Sequence, residues 1–335
     1  MRQYHTHACL ISGQPTPNLT PLLDQSIAPK RVVMFVSQEM QAKANSLEAV
    51  IKGRGIQCQK ITVDSPNDIY ALQKLFLNFI DQDDQEDIAF NITGGTKPMA
   101  IAAQEIARMA GKDVFYVEIQ TGNITFLSDP DKPAPIPFQL KNKLKLDTHL
   151  LAHGYKTINY DTATRKDFSY SDENNAFAQE LIKDSSNLSD AVKLLNMAAS
   201  KATSQKNLVL NIEYPNDKTD RLLDILHHHK FVLTKEGKTY FKDAEIRRYL
   251  NGEWLEHHAY AMIRHLGIQD IALNLEVEST NVKNELDIAC LHNNQLHIIE
   301  CKTNNMNKDN RAKANETMYK LDSLTALGGI TTKGL

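Results

Sequence analysis

The segment Asn284–Lys302 reads NELDIACLHNNQLHIIECK and decides the fold of the last part of the chain. Apolar and polar residues alternate on both sides of residues 292–294, which is typical of two antiparallel strands joined by a short Asn-rich turn. Asp287 lies on the first strand, and Glu300 and Lys302 share one face of the second because side chains alternate along a strand. The sequence therefore predicts a β-hairpin with charged side chains on one face.

These charged side chains are suited to hold a divalent metal ion. Neighbouring strands lie about 4.8 Å apart, so Asp287 and Glu300 can share one Mg²⁺ or Mn²⁺, ions that prefer oxygen ligands. Such an ion polarises a phosphoryl oxygen and activates a water, while Lys302 orients that water or offsets charge on the phosphate. An ordinary amphipathic hairpin with a solvated polar face is the alternative. The strand that carries Glu300 and Lys302 is otherwise apolar at Leu296 and Ile298, which indicates a partly buried site and not a solvated edge. We therefore favour the metal site and predict phosphodiester hydrolysis.

The hairpin belongs to a predicted order of one helix, three strands and a second helix. These elements are expected at residues 254–265, 271–277, 285–291, 295–301 and 313–324. Glu256 on the first helix supplies a further carboxylate. Glu285, which shares a strand face with Asp287, competes with Glu256 for an auxiliary role. This order predicts a small α/β domain over residues 251–335.

Short apolar runs alternate with helical periodicity through the first half of the chain. Strands are predicted at residues 8–12, 31–37, 56–63, 88–93, 114–119 and 123–128. Amphipathic helices between them predict an α/β domain over residues 1–145, with a mostly parallel sheet covered by helices on both faces. Ligands of such sheets bind at the C-terminal ends of the strands.

The middle of the chain, residues 146–250, is predicted to be a linker with a small winged-helix-like element. Prolines from Pro130 to Pro137 mark a domain edge near residues 130–160. The predicted elements are a helix at residues 221–229 and strands at residues 231–234 and 238–241. The winged-helix-like element either binds DNA or serves as a spacer. Consecutive histidines at residues 227–229 point in different directions on a helix, so we expect structural or surface roles for them.

Composition indicates a globular chain without a membrane span or an export signal. Of its 335 residues, 41% are apolar and 24% charged, and no apolar run approaches the roughly 18 residues of a membrane span. Residues 1–7 lack the pattern of a signal peptide, so we expect a cytoplasmic protein. Four separated cysteines are expected to be buried thiols. The net charge of −3 offers no general attraction to nucleic acid, so any such contact must depend on local patches and metal ions.

The segment Thr93–Met99 (TGGTKPM) follows a predicted buried strand and begins a helix. Gly94 and Gly95 allow a ligand to approach the backbone closely, and the free N–H groups at a helix start favour an anion. Thr96 and Lys97 add side-chain donors. The loop therefore predicts a phosphate or nucleotide site, with a simple capped turn, in which Thr96 is the N-cap, as the alternative.

Glu256, Asp287 and the run Glu300-Cys301-Lys302 resemble the motif of the PD-(D/E)xK restriction-endonuclease-like superfamily. The resemblance implies that Asp287 and Glu300 bind metal and that Lys302 assists the nucleophile. Glu256 would support a ligand or a second ion. The superfamily core continues with another strand after the last helix. Residues 328–335 are too short for a well-buried strand followed by a helix, so a truncated sheet edge is expected.

Residues 91–99 resemble the signature of CARF domains, which sense the cyclic oligoadenylates made during type III CRISPR defence. The loop at residues 12–21 resembles the family's opening Gln-x-x-Pro-Asn segment, and Ser37 ends the second strand at the same edge. The resemblance implies a Rossmann-like fold and a ligand pocket. Its expected ligand residues are Gln14, Asn18, Ser37, Thr93, Gly94, Gly95, Thr96, Lys97 and Met99. CARF domains pair about a twofold axis, so a homodimer with cyclic tetra-adenylate across it is expected.

The two motifs together, in this order, resemble CRISPR ancillary nucleases. The resemblance implies a nuclease that is activated by cyclic tetra-adenylate, uses Mn²⁺ or Mg²⁺, and cuts DNA, RNA or both. One alternative is a ligand-sensing DNA-binding regulator that uses the winged-helix-like element and does not cut. Another possibility is that the pocket cleaves its own ligand with the help of Thr96 or Lys97.

Overall fold

The computed structural model describes residues 3–83, 87–127, 138–140, 144–165, 172–268, 270–280, 282–303, 311–329 and 332–335. The described chain forms an N-terminal α/β domain, a mainly helical middle region and a C-terminal α/β domain. The proline run at residues 130–137 lies outside the described residues. Within the described part, no helix has both the length and the apolar character needed to cross a membrane.

The N-terminal domain contains one seven-stranded sheet. Its strands are β1 (Thr6–Leu10), β2 (Arg31–Ser37), β3 (Gln57–Val63), β4 (Ile88–Asn91), β5 (Asp113–Glu118), β6 (Asn123–Phe126) and β7 (Phe138–Gln139). They lie in the order β3-β2-β1-β4-β5-β6-β7; the first five are parallel, and β6 and β7 are antiparallel additions. The strand order reverses between β1 and β4, the switch point where doubly wound sheets bind ligands.

Helices cover both faces of this sheet, as the alternation of the sequence predicts. They are α1 (Thr16–Leu19), α2 (Gln41–Gly53), α3 (Ile69–Gln82) and α4 (Lys97–Met109). Val33 and Phe35 of β2 pack in the core formed with α3 and α4. Val32 and Met34 of the same strand pack with α2, since successive side chains of a strand point to opposite faces. All four side chains are at most 1% exposed, so the central strands are buried on both faces.

The middle region is mainly helical and has its own apolar core. Its elements are α5 (Leu146–His153), β8 (Lys156–Thr157), α6 (Tyr160–Arg165), α7 (Asp172–Lys183), α8 (Ser185–Ser204), α9 (Asp217–His228), β9 (Val232–Lys235), β10 (Lys238–Phe241) and α10 (Ala244–Arg248). Phe177 and Leu195 lie in this core with Phe231, which precedes β9, and with Phe241 of β10. The predicted winged-helix-like helix and hairpin are therefore present, with α7 and α8 packed against them.

The C-terminal domain has the predicted order of helix, three strands and helix. Its elements are α11 (Trp254–His265), β11 (Asp270–Glu278), β12 (Lys283–His292), β13 (Gln295–Ile299), α12 (Arg311–Thr325) and β14 (Lys333–Gly334). The sheet order is β14-β13-β12-β11-β8, so residues 156–157 of the middle region add an edge strand. At the other edge, residues 333–334 pair with β13 in parallel. A short strand therefore occupies the edge that was expected to be truncated.

One apolar core joins the N-terminal and C-terminal sheets. Val32 and Met34 of β2, Leu150 of α5, and Leu286 and Ile298 of the hairpin belong to this single cluster, and each is at most 1% exposed. Burial of a large apolar side chain contributes about 1.5–3 kcal/mol, so separating the sheets would be costly. We therefore expect that a displacement of one domain also displaces the other.

A half-buried carboxylate reinforces this connection. Asp270, at the start of β11, accepts hydrogen bonds from the backbone N of Leu146 at 2.5 Å and from the hydroxyl of Tyr160 at 2.8 Å. It therefore binds a free N–H group at the start of α5. Burial, the largest effect, raises the pKa of Asp270, while these two donors lower it.

Two histidines of α5 are buried next to each other. His149 and His153 are 1% and 3% exposed, and their ring centroids lie 4.6 Å apart. Their ring nitrogens make no hydrogen bonds among the described residues. Burial lowers the pKa of His149 to about 4; burial, with His149 and Lys43, lowers the pKa of His153 to about 3. Both rings are therefore neutral in the folded protein at neutral pH.

This burial predicts that acid destabilises the protein below pH 6.5, the ordinary histidine pKa. The unfolded chain takes up protons there that the folded chain cannot, so stability falls until the pH reaches the lowered pKa values. At pH 5 each histidine should cost about 2 kcal/mol. In urea unfolding, the double variant His149→Leu, His153→Leu should lose less stability between neutral pH and pH 5 than the wild type. The control is His265→Gln, at an exposed position. If the double variant lost as much stability as this control, the buried histidines would not be the origin of the acid destabilisation.

Candidate functional site

The hairpin brings Asp287 and Glu300 opposite each other. Its two-residue turn, 293–294, has left-handed φ values of 50° and 59°, which suit the tight turn of a twisted hairpin. The strand register pairs Ile288 with Ile299. One residue farther from the turn on each strand, the facing positions are Asp287 and Glu300. The structure therefore brings together the two carboxylates that the sequence predicts to share a metal ion.

Lys302 lies between these carboxylates. Its Nζ is 3.3 Å from Asp287 Oδ2 and 3.2 Å from Glu300 Oε2. Asp287 Oδ2 also accepts a hydrogen bond of 2.8 Å from the backbone N of Cys301, which fixes its orientation. Burial lowers the pKa of Lys302, but Asp287 and Glu300 outweigh that effect, so its pKa is raised. The three predicted side chains therefore form one ion cluster.

The carboxylate of Glu300 has a second partner that the sequence reasoning did not identify. Lys320 of α12 places its Nζ 2.8 Å from Oε2 and 3.0 Å from Oε1 of Glu300. The Glu300 side chain is only 1% exposed, whereas that of Lys320 is 43% exposed. Lys320 occurs on a helix with no local motif, so no sequence signal distinguishes it from other surface lysines.

Glu256 of α11 lies near the cluster. Burial, then the charges of Asp287 and Glu253, raise the pKa of Glu256 to about 7, while Lys302 lowers it. Glu285 is exposed, and its charge is the smallest of these influences on Glu256. The structure therefore favours Glu256 over Glu285 as the auxiliary carboxylate, which stays a prediction.

The donor chemistry of this cluster fits a hard divalent cation. Asp287 and Glu300 offer facing carboxylate oxygens, and the ammonium of Lys302 already places positive charge between them. Repulsion from Asp287 also raises the pKa of Glu256, and a cation nearby would relieve that repulsion. Over the residues that the structure describes, no three His, Cys, Asp or Glu side chains form a metal-binding group. The candidate centre therefore depends on two protein carboxylates, with Glu256 beside them.

The second candidate site lies at the switch point of the N-terminal sheet. There, Gly94 and Gly95 pack against the end of β1. A Cβ at Gly94 would lie 2.2 Å from the carbonyl oxygen of Leu10, and a Cβ at Gly95 would lie 2.9 Å from the Leu10 Cβ. Gly95 also has a φ of +73°, which side chains rarely adopt. The glycines therefore allow the loops after β1 and β4 to touch.

A buried amide network holds these loops. Asn91 donates from Nδ2 to the carbonyl of Pro17 and to Oδ1 of Asn18, each at 2.9 Å. Its Oδ1 accepts from the hydroxyl of Thr93 at 2.7 Å, and Thr93 Oγ1 accepts from the backbone N of Val117 at 2.8 Å. Asn91 is fully buried and was not among the predicted site residues. Its position at the end of a buried strand was the signal that could have identified it.

The predicted ligand residues differ in how accessible they are. Lys97 is exposed at the first position of α4, and Gln14 is half-buried. Thr96 caps that helix, accepting from the backbone N of Met99 and donating to the carbonyl of Pro66. Met99 packs in the core with 1% exposure. Lys97 and Gln14 are therefore accessible to a ligand, whereas Thr96 and Met99 beside them hold the fold of the loop.

Three other predicted ligand residues, Asn18, Ser37 and Thr93, lie at the same end of the sheet and are largely buried or hydrogen-bonded within the protein. Asn18 is 2% exposed, and its Nδ2 donates to the carbonyl of Leu10. Ser37 is 9% exposed at the end of β2. Thr93 is committed to the Asn91 network. The geometry thus gives Asn18 and Thr93 a supporting part at the switch point, and their contact with ligand stays a prediction.

The histidine run at residues 227–229 makes separate contacts. His229 Nε2 lies 3.0 Å from a carboxylate oxygen of Glu180, and His227 Nε2 lies 3.3 Å from the hydroxyl of Thr234. The rings point to different partners, as consecutive residues of a helix do. These contacts agree with the structural and surface roles that we predicted.

Two protein-family models match the chain. Residues 6–148 match the Card1 CARF domain, and residues 243–335 match the Card1-like endonuclease domain. The two matched ranges contain the switch-point loops and the carboxylate hairpin, respectively. An endonuclease domain of this kind implies a divalent metal ion. No curated protein matches the sequence.

Solved structures share the whole fold. Protein VC1899 from Vibrio cholerae superposes with a TM-score of 0.85 at 23% identity, covering 98% of this chain and 87% of its own. Can2 from Sulfobacillus thermosulfidooxidans, in complex with cyclic tetra-adenylate, gives 0.77 at 24% identity and covers 98% and 86%. A type III CRISPR defence DNA nuclease activated by cyclic oligoadenylate gives 0.60 at 16% identity and covers 100% and 45%. At these identities the likeness is one of fold.

The buried network predicts a stability cost for Asn91→Ala. The substitution removes the hydrogen bonds to Pro17 and Asn18 and leaves buried groups unpaired, which should lower the free energy of unfolding by about 2–3 kcal/mol. Urea unfolding measures this change. Asn67→Ala, at an exposed position, is the matched control. Equal urea midpoints for the two variants would show that the network does not support the loops.

Proposed function

We propose that this chain, which joins a Card1 CARF domain to a Card1-like endonuclease domain, cuts nucleic acid when cyclic tetra-adenylate binds its CARF domain. The observation that carries the proposal is the convergence of Asp287, Glu300 and Lys302 inside the endonuclease domain. The choice of cyclic tetra-adenylate among the cyclic oligoadenylates is supported by Can2, whose structure contains that ligand. The proposed role is antiviral defence within type III CRISPR systems.

The endonuclease site contains the groups that phosphodiester hydrolysis needs. Asp287 and Glu300 would hold Mn²⁺ or Mg²⁺, which polarises the scissile phosphate and lowers the pKa of a bound water. Lys302 is held by both carboxylates and so has its ammonium within the same cluster. From that position it orients the attacking water or offsets charge that develops on the phosphate. Glu256 supports this arrangement from α11.

The switch-point loops form the proposed receptor for the activator. The start of α4 presents backbone N–H groups and the exposed Lys97, which suit the phosphates of a cyclic nucleotide. A symmetric ring matches two copies of these loops, so we propose a homodimer. The ligand activates only if its affinity is higher for the cutting arrangement than for the inactive one. Each tenfold difference in affinity corresponds to about 1.4 kcal/mol. The core shared by the two sheets supports transmission between the sites.

DNA and RNA are both proposed substrates, because the metal acts on the phosphate linkage common to them. The DNA nuclease among the solved structures supports DNA as one of them. The regulator alternative finds less support, since the C-terminal range matches an endonuclease domain. A sequence-specific gel shift without metal, and no cleavage under any condition, would support the regulator instead.

The proposal predicts that Glu300→Ala and Lys302→Ala abolish cutting. Each removes a charge from the cluster, and the cleavage rate should fall by about 100-fold or more. Cyclic tetra-adenylate should still bind, because the CARF loops are unchanged, and calorimetry measures that affinity. Glu316→Ala, an exposed acid on α12, is the matched control and should cut normally. Robust cutting by the Glu300→Ala protein would refute the site assignment.

A further inference from the structure

The C-terminal segment 320–329 contacts both candidate sites. At one end, Lys320 holds the carboxylate of Glu300. Farther along, Gly329 lies against Gln14, which belongs to the loop after β1. A Cβ added at Gly329 would lie 2.3 Å from Nε2 and 3.0 Å from Oε1 of Gln14. The amide of a predicted ligand residue therefore rests directly on the endonuclease domain.

Two leucines between these contacts are buried in the shared core. Leu324 and Leu327 are each 2% exposed in the shared core, which also contains Leu19 and Leu22 from the segment that follows Gln14. A Cβ at Gly334 would lie 2.8 Å from Cγ of Leu321, so α12 lies close upon β14. We therefore expect a shift of the loop after β1 to reach α12 through these packed side chains.

The contact at Glu300 concerns the oxygens that would bind metal. Lys320 Nζ reaches both of them, at 2.8 and 3.0 Å, and Lys302 Nζ reaches one at 3.2 Å. A buried carboxylate needs such pairing. An ammonium group and a divalent cation compete for the same lone pairs, since both are attracted to the same charge. Lys320 therefore opposes the binding of metal at Glu300.

We propose that Lys320 is a latch on Glu300, and that the CARF loop controls this latch through the contact between Gln14 and Gly329. Activator at the CARF loops displaces Gln14, α12 shifts with Gly329, and Lys320 withdraws from the Glu300 oxygens. The metal then has access to the carboxylate. α12 is the element with two positions that both sites bias. The inference rests on the proposed function, because it gives the regulation of that same site.

The first test removes the charge of Lys320 in the full chain. Lys320→Gln should bind Mn²⁺ about tenfold more tightly in calorimetry without substrate, and should cut faster without cyclic tetra-adenylate. Lys320→Arg keeps the charge and should bind Mn²⁺ as the wild type does. Lys183→Gln, an exposed lysine on α7, is the matched control. Mn²⁺ binding by Lys320→Gln that is equal to or weaker than that of the wild type would overturn the latch.

The second test addresses the contact with the CARF loop. Gly329→Ala inserts a methyl group against Gln14, and the ratio of cutting rates with and without cyclic tetra-adenylate should fall at least tenfold. Gly267→Ala is the matched control, because its φ of +71° imposes similar backbone strain with nothing within 4 Å. Equal ratios for Gly329→Ala and Gly267→Ala would overturn the connection.

The two tests also separate this inference from the proposed function. A wild type that cyclic tetra-adenylate never stimulates contradicts the proposed function. Stimulation of the wild type together with a Lys320→Gln protein that binds Mn²⁺ normally contradicts the latch alone. The Mn²⁺ affinity is measured without activator or substrate, so its result does not depend on cutting.

Discussion

The apolar core shared by the two sheets is the constraint on which the arrangement of the protein depends. Strand β2 of the N-terminal domain, helix α5 and the hairpin of the C-terminal domain contribute buried side chains to the same cluster. Asp270 adds a polar connection by binding the first turn of α5. A separate sensor and a separate nuclease on a flexible linker would lack such contacts. The position of one sheet therefore constrains the other.

In the proposed mechanism, the buried charge of Glu300 is both a metal ligand and a point of control. Glu300 is almost completely buried, so its charge must be balanced, and two lysines balance it. Lys302 lies between the two predicted metal ligands, whereas Lys320 reaches Glu300 from a helix that returns toward the CARF loops. Removal or movement of one lysine changes what the carboxylate can bind. Because burial makes Glu300 depend on its lysine partners, we expect the site to respond to a shift of α12.

The sequence was sufficient for elements with strong local patterns. The hairpin and the closeness of Asp287 and Glu300 were predicted from two apolar segments on either side of an Asn-rich turn, and strand β2 was predicted to the residue. Strand β8 was not predicted, because two residues carry no periodicity and pair only through distant β11. Asn91 and Lys320 were also missed, since their roles arise from partners 73 and 20 residues away. Local patterns predict elements, and long-range contacts decide which side chains meet.

In the proposed function, a cyclic nucleotide bound at one sheet controls cutting at the other. The most direct measurement follows cleavage of plasmid DNA and of RNA by the full chain with Mn²⁺, with and without cyclic tri-, tetra- or hexa-adenylate. We expect rapid cutting only when Mn²⁺ and cyclic tetra-adenylate are both present, and no cutting when the metal is chelated. A cleavage rate that is the same with and without every ring would contradict it.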